Sequence, residues 1–277
     1  MSAIPAITVA NLRDLGSTPL PCGGRVRTGL VFRSGQLDRL DPTADPVVAA
    51  LGIRTIVDLR TRAERLARPD HIPAGGQLLL ADVLANQMPG SAPDSAPGSA
   101  PGPLPVAARI KQVLADPVVA ERELGGGRAQ ALFTDAYRGF VATESARVAY
   151  RAFLTELAEP EAGPLLFHST AGKDRAGWAA AIVLTLLGAT PETVEAEYLS
   201  VNPAVRHVFA PLIEGFTAQG GDPETALAVV GVFPEYLAAA LDEVDTRYGT
   251  MEKYVCEGLG VPPTAVERIH ERLTDPG

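Results

Sequence analysis

An α/β layered fold is what the sequence predicts, and three observations predict it. Two short apolar runs, within "GIRTIVDLR" and "GPLLFH", have the length and composition of buried strands. Each leads into a helical pattern, polar after the first and wholly apolar after the second. The last third of the chain then reads as helix after helix, in "PEYLAAALDEVDTRYG", "TMEKYVCEGLG" and "PTAVERIHERL".

Taken in order, residues 53–59 form the first strand candidate, because Ile, Thr and Val are β-branched and crowd less in a pleat than in a helix. "TRAERLARPD" is helix-friendly and stops before Pro69. "QLLLADV", residues 77–83, is a second short strand. Residues 88–105, "MPGSAPDSAPGSAPGPLP", have a composition that cannot bury a core, and we expect a flexible insertion within one domain, spanning about 84–128. A linker between two domains fits less well, since it would leave the preceding strand without a sheet. Residues 106–124 look helical and suit a mobile cover. Residues 129–157 carry helical spacing, "GPLLFH" is a strand, and residues 176–187 a buried helix ended by Gly188. Thr190 and Pro191 start the next helix as cap and first-turn proline.

The chain has 277 residues, 46% of them hydrophobic, enough for one sizeable core. No apolar stretch approaches the ~18 residues that cross a bilayer, so no membrane span is expected. The opening "MSAIPAITVA" lacks the basic start and apolar core of a signal peptide. Two cysteines, Cys22 and Cys256, are too few for a disulfide framework or a zinc cluster, and a reduced, cytoplasmic setting is expected. His71, His207 and His270 have no metal-ligand spacing, so no metal is expected. The net charge of −9 argues against a nucleic-acid surface. Any anion must be held by focused local charge.

That focus is "HSTAGKDR", residues 168–175. A strand, a loop of small residues and a helix start aim backbone N–H groups and the positive end of a helix dipole at one point. Gly172 permits close approach, and Ala171 and Thr170 add little bulk. Arg175 offers a fork for two oxygens, and Lys173 a second positive charge. The pattern is a cradle for a tetrahedral dianion. A nucleotide P-loop would need Gly where Phe167 stands and Ser or Thr where Asp174 stands. A serine-hydrolase elbow would need Gly at the positions of Phe167 and Ala171. A purely structural turn has no use for Lys, Asp and Arg in succession.

These residues resemble the His-Cys-(five residues)-Arg signature of cysteine-dependent tyrosine phosphatases, most of all the bacterial PtpB-like branch whose loop reads Ala-Gly-Lys-Asp-Arg-Thr-Gly. "NLRDLG", "LVFRSGQLDRL", "GIRTIVDLRTRAE", "EYLSVN" and "PEYLAAALDEVDTRYG" resemble that branch in the same order, so the likeness covers nearly the whole chain. It implies a tyrosine-phosphatase-like fold, with a mainly parallel sheet of about four to five strands flanked by helices. A helical lid falls in the insertion, and the C-terminal region is helical. It implies a cofactor-free hydrolysis of a phosphorylated substrate, protein or small molecule. A nucleophile at 169 attacks phosphorus, and water then hydrolyses the phosphoenzyme. Arg175 and the amides of Thr170, Ala171, Gly172 and Lys173 hold the transferring oxygens. Asp174 is the in-loop acid or base, and beside Lys173 it suits a base. Asp82 is a weaker candidate for protonating the leaving oxygen, against its plainer reading as a solvated carboxylate. His168 is a structural hydrogen-bonder. Asp58 and Arg60 line or brace the pocket, or form a strand-end salt bridge. Asn202 matches a position of the branch or caps a helix. Tyr137 and Phe140 shape the pocket mouth or belong to the core. The resemblance says nothing of oligomeric state.

Two residues depart from the pattern. Serine occupies the nucleophile position, 169, and a hydroxyl ionises far less readily than a thiol of pKa ~8.5. Ala176 stands where the branch has a hydroxyl that helps the thiolate leave. Phosphate binding is expected to survive and covalent turnover to be lost. An introduced Cys→Ser change and a natural one that silenced or repurposed the site both fit.

Overall fold

The computed structural model describes residues 2–85 and 110–275. Among these, six strands form one sheet: β1 (Ser2–Ala3), β2 (Arg13–Asp14), β4 (Val31–Ser34), β7 (Leu165–His168), β5 (Thr55–Asp58) and β6 (Gln77–Leu80), in that spatial order. The last four run parallel, and β1 and β2 are antiparallel additions at one edge. A separate pair, β3 (Arg25–Val26) with β8 (Thr274–Asp275), ties the N-terminal region to the chain's end. This is the mainly parallel α/β sheet expected. The first strand candidate shortens to Thr55–Asp58, and the second ends at Leu80, so Asp82 lies beyond it.

Strands buried on both faces need apolar residues throughout, and their period of two sends neighbours to opposite cores. Val31, Val57, Leu165 and Phe167 enter the larger core, whereas Phe32, Ile56 and Leu166 enter a smaller one with Val9, Leu12, Leu37, Leu40 and Val48. Helix α7 (Arg175–Leu186) is apolar on every side and lies wholly inside the larger core, which explains why its sequence shows no polar face. It stops at Gly188, whose φ of +84° suits glycine. It packs against α8 (Pro191–Leu199), and α5 (Arg128–Ala142), α6 (Glu144–Leu157) and α11 (Pro234–Tyr248) bury residues in the same core. Among the described residues no single helix is long and apolar enough to cross a membrane.

The insertion's Pro/Ser-rich part, expected to be flexible, lies outside the described residues. Beyond it the expected single helix over 106–124 is instead two short ones, α3 (Ile110–Val113) and α4 (Pro117–Leu124). Pro117 has no N–H to continue the first, and the Asp116 carboxylate accepts from Val118 N–H at 2.9 Å and Val119 N–H at 3.2 Å, starting the second. Ala120 and Leu124 are buried in the larger core. "TMEKYVCEGLG" similarly begins as a short helix and passes into a π-helical turn, Tyr254–Gly258.

The register decides where chemistry can occur. Ser34 and Asp58 both pair with His168, so β4, β7 and β5 end at one level. The loops leaving their carboxyl ends converge there, the usual crevice of open α/β sheets.

Candidate active site

The loop after β7 is held by its carbonyls. Asn11 Nδ2 donates to Ala171 O at 3.2 Å and to Gly172 O at 3.1 Å. Arg33 Nη2 donates to Gly172 O at 2.7 Å, and Gln36 N–H to Thr170 O at 3.2 Å. Asp174 O takes Trp178 N–H, the first helical bond of α7. Among the described residues the N–H groups of 170–174 have no protein acceptor. A loop whose carbonyls from 170 to 173 are drawn to one side leaves its N–H groups for the other, at a helix N-terminus, an arrangement suited to an anion.

Gly172 is indispensable to this shape. Its φ is +67°, and a Cβ there would lie 2.3 Å from Ser34 O. Gly172→Ala is expected to add about 1–2 kcal/mol of left-handed strain before that overlap is counted. A lower midpoint in thermal unfolding, with weakened phosphate binding, checks this. An unchanged midpoint would show that the loop is not so constrained.

The anchors are themselves fixed. Arg33 is buried, and its Nη1 meets both oxygens of Glu197 at 2.7 and 2.8 Å. Asn11 adopts a left-handed φ of +55°, which asparagine tolerates, and its Oδ1 accepts from Arg13 Nε at 2.8 Å. Arg13 in turn grips Ser200.

Arg175 is reached from β5 through α2 (Arg62–Ala67). Thr61 and Glu64 form a capping box, so Glu64 is placed by the helix start it completes. Its two oxygens accept from Arg175 Nη1 and Nη2, each at 2.8 Å, and one also takes the Thr170 hydroxyl. Burial disfavours its charge, but Arg175, Thr170 and the Thr61 N–H outweigh this and hold the carboxyl far below its usual range. Arg175 Nε has no partner among the described residues, which leaves the guanidinium's side edge free to meet a second anion.

Ser169 is almost fully buried at the loop's first position, and its side chain has no hydrogen-bond partner among the described residues. Asp174 Oδ1 accepts from Lys173 Nζ at 2.9 Å and from the Tyr137 hydroxyl at 3.1 Å. Lys173 Nζ also donates to Gly231 O at 3.0 Å and lies 4.9 Å over the Phe133 ring. Asn202, near the start of α9 (Asn202–Ala218), bonds both N–H and C=O of Val232 at 2.9 Å. It fastens the segment that holds Lys173.

Below the loop, Asp58 and Arg60 form the strand-end salt bridge, fully buried. Asp58 Oδ1 accepts from Arg60 N–H and Nε, and Oδ2 from Nη2 at 2.9 Å. Arg60 Nη2 also reaches Asp70 Oδ2 at 2.8 Å, and His168 Nε2 lies 3.1 Å from that oxygen. Burial opposes charge on Asp70, yet His168 and Arg60 leave its carboxyl below the ordinary range. The fold thus gathers Asp58, Asp70 and His168, with one ligand atom of each within 4.8 Å of the others. The cation among them is the guanidinium of Arg60, which already engages both carboxylates. Asp82, beyond β6, accepts from Arg62 N–H at the start of α2 and from Leu84 N–H, each at 3.0 Å. Tyr137 and Phe140 are both core residues, their rings 4.9 Å apart, and the Tyr137 hydroxyl still reaches the loop.

Sequence reasoning missed Asn11, Arg33, Glu64, Asp70, Glu197 and Tyr198. All but Asp70 stand in or beside the segments that carried the resemblance, and that co-occurrence was the available signal.

Comparison with known proteins finds relatives along nearly the whole chain. The family model for the tyrosine phosphatase family matches residues 4–275. The triple specificity protein phosphatase PtpB of Mycobacterium tuberculosis is 32% identical over 94% of this chain and 94% of its own length. The putative tyrosine-protein phosphatase H16_A0669 of Cupriavidus necator is 29% identical over 92% of this chain and 83% of its own.

Proposed function

We propose that this chain, which belongs to the tyrosine phosphatase family, takes a phosphomonoester into the 168–175 loop and, with serine at 169, holds it without covalent turnover. The observation that carries this is the set of outward-tethered carbonyls at Thr170, Ala171 and Gly172, beside unpartnered N–H groups and the free Nε edge of Arg175. In this reading Ser169 occupies the nucleophile's place. Arg175 and the amides of Thr170, Ala171, Gly172 and Lys173 bind the phosphoryl oxygens, and Asp174 serves proton transfer as a base. Asn202, Asp58, Arg60 and His168 brace the site. The whole chain acts as one domain with 84–128 as an insertion, a view supported by a family match running through 4–275. No metal takes part, and two cysteines suit a reducing, cytoplasmic setting. The substrate class stays broad: phosphoprotein, phosphoinositide or phosphorylated metabolite. The printed name of one relative, a triple specificity phosphatase, favours that breadth.

A second reading is a natural pseudophosphatase or repurposed enzyme acting on a phosphorylated metabolite. Ala176, buried at the second position of α7, favours it, because the loop then departs from the pattern twice, lacking the thiol at 169 and the hydroxyl at 176.

Calorimetric titration of the chain with an aryl phosphate, without metal, tests the binding claim. Arg175→Lys keeps a cation opposite Glu64 but loses the fork, and is expected to weaken binding at least about tenfold. Failure of the unaltered chain to bind at millimolar ligand, or equal binding by the lysine variant, would sink the reading.

A further inference from the structure

We propose that Tyr137, backed by Tyr198, is a positioning residue that ties down one oxygen of Asp174 and leaves the other as the oxygen that moves protons. The proposal rests on the functional reading above and deepens it at a residue whose sequence reading was an ordinary core aromatic.

The direction of each bond follows from chemistry. An ionised carboxylate only accepts, so the Tyr137 hydroxyl donates to Asp174 Oδ1 at 3.1 Å. Its oxygen is then free to accept, and the Tyr198 hydroxyl donates to it at 2.7 Å. The chain Tyr198 to Tyr137 to Asp174 therefore runs one way, each donor strengthening the next. Both rings are locked. Tyr137 lies 4.9 Å from Phe140, 5.9 Å from Tyr236 and 6.0 Å from Tyr198, the last edge-on. Burial first, then Tyr198 and Asp174 for Tyr137 and Asp174 for Tyr198, push both phenols well above their ordinary pKa, so both keep their protons.

Lys173 Nζ takes the same oxygen, Oδ1, at 2.9 Å, and is itself held by Gly231 O. Asp174 Oδ2 has no partner among the described residues, and the side chain keeps 23% exposure. One oxygen is doubly bonded to the protein and the other faces outward. A buried tyrosine commonly needs some partner for its hydroxyl, and that plainer account would leave Asp174 indifferent to its loss. The two accounts differ in what Asp174 does.

The ionisable groups facing Asp174 come from every element around it: Lys173 and Arg175 from its own loop and helix, Tyr137 from α5, Tyr150 from α6, Tyr198 from α8 and Tyr236 from α11. Both donors engage Oδ1. Removing the phenol oxygen of residue 137 removes one of them, so the carboxylate is held less firmly in the position that turns Oδ2 outward.

The test uses the chain as it stands, with its aspartates labelled at the carboxyl carbon and the Asp174 resonance assigned by Asp174→Asn. Tyr137→Phe is expected to move that resonance at fixed pH, and Tyr198→Phe to move it less. A folded Tyr137→Phe variant with an unmoved resonance overturns the proposal. If that variant does not fold, Tyr198→Phe decides, and no movement overturns it. In a Ser169→Cys background Tyr137→Phe should lower kcat with KM unchanged, and should lower it no further once residue 174 has been changed by Asp174→Asn. An equal loss in the Asp174→Asn background overturns it, since the loss would then not pass through Asp174. Should Ser169→Cys show no turnover at all, the functional reading falls, and the carboxyl resonance still judges the positioning separately.

Discussion

Ser169→Cys is expected to convert the chain into a metal-independent phosphatase toward an aryl phosphate, with turnover rising on the order of 10³-fold or more. The cause is ionisation. Loop N–H groups, the α7 N-terminus and Arg175 all lower the pKa of a thiol at this position, and enzymes place such thiols at ~3.5–7.5. A hydroxyl starts too high for the same surroundings to ionise it. The thiolate attacks phosphorus and the bond to the aryl oxygen breaks, leaving a phenolate that needs little protonation. Water, giving its proton to Asp174, then attacks phosphorus. The phosphorus–sulfur bond breaks, releasing phosphate and restoring the thiolate. Ala176 lacks the hydroxyl that the resembled branch uses to help sulfur leave, so a burst followed by slow turnover is expected, relieved by Ala176→Thr. The measurement is a stopped-flow trace of aryl alcohol release. Phosphate binding with no release in the cysteine form would instead mark a dedicated binder. Release by the serine form that Ser169→Ala abolishes would make serine itself the nucleophile.

How much of this was legible beforehand differs between the loop and what holds it. "LLFH" and the apolar run after Arg175 announce a buried strand and helix, and a small-residue loop with Lys, Asp and Arg between them announces an anion. Those signals are local. The carbonyl anchors are not. Asn11 lies 160 residues from Ala171, Arg33 139 residues from Gly172, and Glu64 111 residues from Arg175. Only strand order brings them together: β2 lies beside β4, and β4 and β5 flank β7, so Asn11 before β2, Arg33 within β4 and Glu64 after β5 all reach the loop after β7. Arg33 lies in β4, buried at all four of its positions, where its charge is met by Glu197 from a segment 164 residues away. The break at Asp116–Pro117 was legible as a cap and a first-turn proline, and periodicity alone passed over it.

Arg33→Met is expected to cost about 3–5 kcal/mol of stability, the usual penalty for leaving a buried charge, here Glu197, without its partner. Denaturant unfolding monitored by circular dichroism reads it. The double change Arg33→Met/Glu197→Leu should recover most of that loss, because a buried ion pair replaced whole by apolar residues of similar size is often neutral. It should not recover phosphate affinity. Gly172 O would keep Asn11 Nδ2 at 3.1 Å but lose the shorter Arg33 bond at 2.7 Å, and a carbonyl held more loosely can turn its partial negative charge toward a bound anion. Stability and binding are thereby separated: one depends on Glu197 having a partner, the other on Gly172 O keeping its Arg33 donor. If the double variant binds an aryl phosphate as tightly as the unaltered chain, outward tethering of the carbonyls is not what makes the cradle. The site would then owe its anion affinity to Arg175 and Lys173 alone.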